Sequence, residues 1–141
     1  MRYLVPAALL ALAACVSTNA IQLNPSAQRA PVCPNGVQIF TDSSRVGSKF
    51  DEVAILNSKG ESGWTSERGM YESQRRKAAE LGANGLIVQA VQEPKAGTKI
   101  IGALLGTGAE RKGGAIAIWI PGDTARVFEA CEGAKNRKRD A

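Results

Sequence analysis

The distribution of apolar and polar residues along the chain predicts four short strands. Apolar residues concentrate in four runs, each bordered by residues that favour turns, such as Gly, Pro, Ser and Asp. These runs cover residues 37–40, 51–57, 85–91 and 115–120. In the last run, Ile alternates with Ala and Trp, so both faces of that strand are expected to be at least partly covered.

One helix is predicted between the second and third runs. Ser66 is a suitable N-cap, and Glu67 lies in the first turn, where a negative charge is favourable. Residues at helical spacing follow it, namely Met70, Gln74, Ala78 and Leu81. Gly82 is placed to end the helix, because glycine is common just after a helix C-terminus.

The predicted order of elements is strand, strand, helix, strand, strand. A strand, a helix and a further strand form a parallel crossover, which is expected to be right-handed. We therefore expect an α+β fold, in which one main helix packs on a small mixed sheet of about four strands.

The N-terminus has the layout of a secretion signal. Arg2 gives a positive start, and an apolar stretch over residues 3–14 follows it and ends in small residues. This stretch is too short for a membrane-spanning helix, which needs about 20 residues. An ordinary secretory signal followed by an accidental cysteine is the alternative to the lipoprotein signal described next.

The sequence LAAC, residues 12–15, resembles the lipobox of bacterial lipoproteins. The resemblance implies that Cys15 becomes the new N-terminus, carries a diacylglycerol thioether and is acylated on its amine, for example by palmitate. Two or more acyl chains anchor a protein stably to a membrane. By the same resemblance, Val16 permits transfer to the outer membrane, since Asp at that position favours retention in the inner membrane.

Four segments are expected along the chain. Residues 1–14 form the signal peptide, and residues 15–31, rich in Ser, Asn, Gln, Ala and Pro, form a lipidated flexible tether. Residues 32–131 form the folded domain. Residues 132–141 form a basic tail that is expected to be disordered.

Composition and charge are compatible with a folded domain that carries a moderate basic excess. Apolar residues make up 44% of the chain and charged residues 22%, which is ordinary for a globular protein. The formal net charge is +5, partly from the C-terminal tail, which could attract anionic lipid or polysaccharide. Nothing near the tail provides the interleaved aromatic residues of a nucleic-acid site, so no nucleic-acid partner is expected.

The stretch QRRKAAELGANGLIVQAV, residues 74–91, together with VQIFTD and FDEVAIL before it, resembles two related groups of small bacterial domains. One is a family described as heavy-metal-binding, and the other contains the outer-membrane lipoproteins that sense envelope stress for the Rcs phosphorelay. The likeness covers about residues 37–91. Its central part matches a helix end and a strand start, so it implies a fold more than an activity.

Cys33 and Cys131 lie at the two ends of the predicted domain. In an oxidising envelope compartment, a disulfide bond is the simplest role for the two remaining cysteines. A redox-active pair is less favoured because the C-x-x-C spacing is absent. Free thiols and an intermolecular bridge remain as alternatives.

Catalytic and metal sites are weakly supported by the residue types present. The sequence contains no histidine, which removes the commonest metal ligand and the usual general base. Four carboxylates could in principle act in pairs on a glycosidic bond: Asp42, Asp51, Glu52 and Glu61. Carboxylates in loops beside strands are usually solvated, so neither an enzyme nor a cofactor or metal is expected.

A glycine-rich stretch over residues 97–114 separates the third and fourth predicted strands. It contains four large apolar residues, Ile100, Ile101, Leu104 and Leu105. They are interpreted either as part of a flexible connection that packs onto the sheet or as a mobile loop that docks a partner or a lipid surface. A basic helix face, formed by Arg68, Arg75, Arg76 and Lys77, is expected to face solvent; an anionic polymer or an acidic partner is the ligand expected if it binds one.

The sequence thus predicts a lipid-anchored envelope protein of the outer membrane. The expected role is a non-enzymatic binding or sensing module, related to envelope stress by the resemblance given above. Its partners would be the membrane, through Cys15, and an envelope protein or an anionic envelope polymer. A ligand-binding or hydrolytic domain that acts on an envelope polymer is the alternative, and a closed cleft lined by Asp42, Asp51 or Glu52 would favour it.

Overall fold

The computed structural model describes residues 16–96, 104 and 108–139, which form an α+β fold. Its strands are β1 (Ser17–Gln22), β2 (Gln38–Phe40), β3 (Asp51–Glu61), β4 (Gly85–Val88) and β5 (Glu110–Trp119). Its helices are α1 (Glu67–Glu80) and α2 (Thr124–Arg139). Short 3₁₀ turns occur at Pro34–Gly36, Ser43–Val46 and Pro121–Asp123.

The five strands form one mixed sheet in the order β1-β3-β5-β4-β2. Only the pairing of β2 with β4 is parallel; the three other pairings are antiparallel. The mixed sheet was predicted, but the expected count of four strands was wrong. Helix α1 does connect two strands that run in the same direction, β3 and β4, and β5 lies between them.

The main core lies between α1 and one face of the sheet. Alternation along the two longest strands places small and medium apolar side chains on this face, which lets the helix approach closely. The buried members from the strands and the helix include Ala54, Leu56, Leu86, Ala115, Ala117, Met70, Ala78 and Ala79. A smaller cluster of Phe40, Ile118 and Ile120 covers one end of the opposite face, with Val46 and Phe50 packed against it.

The ends of α1 are fixed by local interactions, as the sequence predicted. The hydroxyl of Ser66 accepts a hydrogen bond from the backbone N–H of Gly69 at 3.0 Å, which caps the N-terminus. At the C-terminus, Gly82 has a φ of +74°, and its N–H donates to the carbonyl of Ala79. The N–H of Ala83 donates to the carbonyl of Ala78, which completes a Schellman motif.

The segment predicted to be a flexible tether contains strand β1. Ser17–Gln22 pairs with β3 over six residues, and Thr18 bonds to Ser73 of α1 through their hydroxyl groups at 2.7 Å. The strand was missed because its residues are mostly polar, and an edge strand with one uncovered face needs few large apolar residues. The folded unit therefore starts at Ser17, while Cys15 and the signal residues lie outside the described residues.

The predicted disordered tail also proved wrong over most of its length. Helix α2 continues to Arg139. None of its residues is buried, so the sequence contains no apolar stripe that would predict this helix. The predicted disulfide bond between Cys33 and Cys131 is confirmed, and it ties α2 to the turn before β2. The Arg126 guanidinium adds hydrogen bonds to the carbonyls of Gly36, at 3.0 Å, and Asn84, at 3.2 Å.

Strand β5 begins earlier than predicted. It starts at Glu110, so residues 110–114 belong to the sheet and not to the glycine-rich connection. Within the described part of the chain, no helix combines the length and the apolar composition that a membrane span requires.

Candidate functional site

The face of the sheet opposite α1 is largely uncovered and is here called the open face. The pairing register arranges its side chains in rows that cross three strands. The row at the end where β1 begins contains Ser17, Lys59 and Lys112. The next row contains Asn19, Asn57 and Gly114, and the third contains Ile21, Ile55 and Ile116. The open face is thus polar at the β1-start end and apolar further along.

A groove of about 400 Å³ lies over the two polar rows. The polar side chains that line it come from β1, β3, β5 and the segment after β4: Asn19, Asn57, Lys59, Gln89, Gln92, Glu110 and Lys112. A second cavity beyond it shares Gln92, Glu110 and Lys112 with this groove. The site is therefore assembled by strand pairing from separate parts of the sequence.

The absence of a side chain at Gly114 leaves room for the side chain of Gln89 at the base of the groove. A Cβ atom at this position would lie 2.5 Å from the side-chain oxygen of Gln89, which lies over the glycine. The backbone N–H of Gln89 donates to the carbonyl of Gly114 at 3.0 Å, and the backbones of Gln92 and Lys112 exchange two hydrogen bonds. These bonds fix the wall of the groove that follows β4.

A buried polar contact below the sheet holds β3 and β5 in this register. The side-chain amide of Gln74, on α1, donates to the Ser58 hydroxyl at 2.7 Å. That hydroxyl donates to the carbonyl of Gly113 at 3.1 Å. Since β3 and β5 carry most of the groove's charged residues, this contact indirectly positions the site.

The charges in the groove are imperfectly balanced. Lys59 and Lys112 are directly opposite each other on β3 and β5, an arrangement of like charges that is unfavourable by itself. The Lys59 ammonium lies 3.8 Å from the carboxylate of Glu110. Among the described residues, Lys112 has no carboxylate partner at ion-pair distance. An anion bound between the two ammonium groups would relieve their repulsion.

The chemistry of the lining suits a polar ligand. Four carboxamides, those of Asn19, Asn57, Gln89 and Gln92, each offer donors and an acceptor. The two lysines add charged donors for phosphate, sulfate or carboxylate groups. The groove can therefore bind an anion or a hydroxyl-rich ligand.

The carboxylates considered as catalytic residues do not line this groove. Asp42 accepts a hydrogen bond from the backbone N–H of Ser44 at 2.7 Å, and its hydrogen bonds with Ser44 lower the pKa of its carboxyl. Asp51 pairs with Arg29 at 3.4 Å, at the opposite end of β3. Glu52 follows it on the same strand, and Glu61 ends that strand. These positions give them capping or surface roles.

The other residues predicted to contact a partner are the apolar ones of the glycine-rich stretch and the basic ones of α1. Leu104 is 80% exposed, whereas Ile100, Ile101 and Leu105 lie outside the described residues. On the basic face of α1, Arg75 pairs with Glu72 at 3.3 Å and Lys77 with Glu80 at 3.0 Å, so part of its charge is neutralised. Arg68 and Arg76 are exposed. Within the described ranges, no three His, Cys, Asp or Glu side chains are grouped as metal ligands.

The groove was not predicted from the sequence. Its residues form no local motif, because register alone brings them together. One available indication was the alternation in β3, where Asn57 and Lys59 alternate with Leu56, Ser58 and Gly60. This pattern indicates a strand with one uncovered polar face.

Comparison with known proteins supports the fold alone. No protein-family model matches the chain, and no curated protein matches it. Among solved structures, the chain is similar to the Francisella virulence factor FvfA, crystallised in an orthorhombic form. The two are 12% identical with a TM-score of 0.50, and the match covers 72% of this chain and 96% of FvfA.

Proposed function

We propose that this protein is a lipid-anchored lipoprotein of the bacterial envelope that acts as a non-enzymatic binding or sensing module. Cys15 carries the lipid, and Val16 favours the periplasmic face of the outer membrane. The disulfide bond is the observation that carries the proposal. Because Cys33 and Cys131 are bonded to each other, the remaining cysteine of the sequence, Cys15, has no intramolecular disulfide partner and is available as the lipid acceptor.

The disulfide bond also supports an envelope location. Structural disulfides persist in oxidising compartments such as the periplasm and are rare in the reducing cytosol. Here the bond joins residues 98 positions apart and holds a helix without buried residues against the rest of the fold. A protein with this construction depends on an oxidising environment for the position of α2.

The groove on the open face supports binding more than hydrolysis. Paired-carboxylate hydrolysis of a glycosidic bond needs two acidic side chains on either side of the substrate. Among the described lining residues, Glu110 is the one carboxylate, and it lies beside Lys59. Amides and lysines dominate the lining, which suits recognition of a polar or anionic ligand. The sensory part of the proposal rests on the sequence resemblance to the stress-sensing lipoproteins.

The anchor is tested on the protein purified from membranes. We expect intact-mass analysis to show a chain that begins at Cys15 and carries acyl groups, and detergent to be required for its extraction. The Cys15→Ala variant is expected to appear in the aqueous fraction. A mature chain that begins elsewhere, or wild-type protein that is released without detergent, would overturn the proposal.

The binding role is tested by crosslinking in intact cells. A photo-reactive amino acid at Asn57, in the groove, is expected to capture a discrete envelope component. The same amino acid at Lys49, exposed near the opposite end of the sheet, is the matched control. Identical crosslink patterns at the two positions would show that the groove is not the binding surface.

A further inference from the structure

The anchor is very close to the folded domain. Strand β1 begins at Ser17, two residues after Cys15, and two residues of extended chain span at most ~7 Å. With the predicted long tether absent, the β1-start end of the sheet must lie at the membrane surface once Cys15 is acylated. This step rests on the function proposed above.

The groove lies at this same end of the sheet. Ser17 pairs with Lys59, and Lys59 pairs with Lys112, so all three project from one face in the row where β1 begins. On the same face, the last row of β3 and β5 pairs Glu61 with Glu110. Neighbouring strands are ~4.8 Å apart, which places the backbone of Lys112 roughly 10 Å from that of Ser17. Both ammonium groups therefore lie within reach of lipid headgroups.

The anionic ligand would bind to the two lysines, whose charges are only partly compensated by the carboxylates beside them. Two lysines directly opposite each other repel. Glu110 lies 3.8 Å from Lys59, and in the described part of the chain Lys112 has no carboxylate at ion-pair distance. A phosphate group between the ammonium groups would accept hydrogen bonds from both. The carboxamides of Asn19 and Asn57, in the next row, provide donors for further headgroup oxygens.

We infer that the groove binds the headgroup of an anionic phospholipid in the membrane to which Cys15 is attached, with the phosphate between Lys59 and Lys112. This contact adds a second attachment to the acyl chains. It also holds the sheet upright, with β1 running away from the bilayer and β3 running towards it. The apolar row of Ile21, Ile55 and Ile116 then faces the periplasm, away from the membrane surface.

Vesicle binding by the full mature chain with Cys15→Ser, which lacks acyl groups, tests the groove without the anchor. We expect it to bind vesicles of phosphatidylcholine with phosphatidylglycerol and not vesicles of phosphatidylcholine alone. The Lys59→Gln/Lys112→Gln variant should bind 10- to 30-fold more weakly, since a lysine at an anionic surface contributes roughly fivefold. The Lys49→Gln/Lys135→Gln variant removes the same charge elsewhere and should change binding less than twofold.

Three outcomes would overturn the inference. Equal losses in the two double variants would mean that net charge alone drives binding. Displacement of the protein from vesicles by inorganic phosphate at millimolar concentration would identify a small-anion site instead of a headgroup site. If the Cys15→Ser chain does not bind the anionic vesicles while the wild-type protein from membranes is found acylated at Cys15, the groove is rejected and the anchor stands.

A measurement on the acylated wild-type protein does not depend on any variant. In nanodiscs containing lipids with a spin-labelled headgroup, we expect strong broadening of the backbone amide signals of Lys59 and Lys112. Asp51 and Trp119, which pair at the other end of the same two strands, lie roughly 25 Å away and should stay sharp. Equal broadening at both ends would show that the sheet lies flat and would overturn the upright orientation.

Discussion

The side chain of Asn84 forms two hydrogen bonds with the backbone of Ile120, as a residue of a neighbouring strand would. The side-chain oxygen of Asn84 accepts from the N–H of Ile120 at 2.7 Å, and its amide nitrogen donates to the carbonyl of Ile120 at 2.9 Å. The residue is fully buried, and its own backbone carbonyl accepts from Gln38 and Arg126. The side chain of Asn84 thus joins the start of β4 to the end of β5, and its backbone carbonyl adds a link to α2.

Replacing Asn84 with Ala is expected to destabilise the protein by about 2 to 4 kcal/mol. The change leaves the buried N–H of Ile120 without its partner, which costs about 1 to 3 kcal/mol. It also removes one hydrogen bond of the Ile120 carbonyl, which still accepts from the N–H of Asp123. Urea denaturation of the purified domain measures the difference. Asn57→Ala, at an exposed amide of β3, is the control and should stay within about 0.5 kcal/mol of wild type.

The elements that the sequence predicted well have strong local determinants. Helix α1 was placed nearly correctly because its two ends are marked by Ser66 and Gly82, and both residues act as expected. Four strands were recognised from apolar runs, because each contributes buried residues to the core. Strand β1 and helix α2 lack such residues, since one lies at an edge and the other has no buried side chain.

The site was beyond prediction for a different reason. Asn19, Asn57, Gln89 and Lys112 lie in four separate segments, and nothing local marks any of them as binding residues. Their proximity depends on strand order, which places β5 between β3 and β4. By contrast, the pairing of Cys33 with Cys131 was accessible because only two cysteines remain after Cys15.

Gly82→Ala is expected to cost about 2 to 3 kcal/mol. A left-handed backbone is unfavourable for alanine by about 1 to 2 kcal/mol. In addition, a Cβ atom at this position would lie 2.5 Å from the Cβ of Arg29 and 2.7 Å from the carbonyl oxygen of Ala30. Thermal or urea unfolding would detect the loss.

A second glycine gives the matched control for this substitution. Gly133 lies in the exposed part of α2, where an added Cβ meets nothing within 4 Å. Gly133→Ala should leave stability unchanged or raise it by up to about 1 kcal/mol, because alanine favours the helix. Equal effects at the two positions would contradict the Schellman motif at Gly82.

Loss of the disulfide bond is expected to release α2 before the sheet unfolds. Helix α2 has no buried residues, so its position depends on the bond to Cys33 and on the contacts of Arg126. In the Cys33→Ser/Cys131→Ser variant, amide hydrogen exchange should become fast along α2 and stay slow in β3 and β5. The free energy of unfolding should fall by about 2 to 5 kcal/mol.

Arg126→Ala provides the control for this experiment. It removes the hydrogen bonds to Gly36 and Asn84 but keeps the covalent link, so α2 should retain most of its protection against exchange. If the double cysteine variant protects α2 as well as wild type does, then the disulfide bond does not hold the helix in place.

Tyr71 is expected to titrate far above the usual range for tyrosine. Burial of the ring and the Glu67 carboxylate, which accepts the phenol hydrogen bond at 2.7 Å, raise its pKa from 10.0 to about 12. Tyr3 lies in the signal, so Tyr71 is the one tyrosine in a chain that begins at Cys15. Ultraviolet absorbance of the tyrosinate therefore reports on it directly, and Tyr71→Phe should abolish the transition.

The raised pKa also makes stability depend on pH in a defined direction. The folded protein favours the neutral phenol, so this contribution to stability is complete below pH 10 and is lost as pH rises from 10 to about 12. Glu67→Gln removes the nearby charge but leaves the burial of the ring, the larger cause, so the pKa should fall only part of the way towards 10.0. A titration midpoint near pH 10 for the wild-type protein would mean that the Tyr71 phenol is solvated and is not hydrogen-bonded to Glu67.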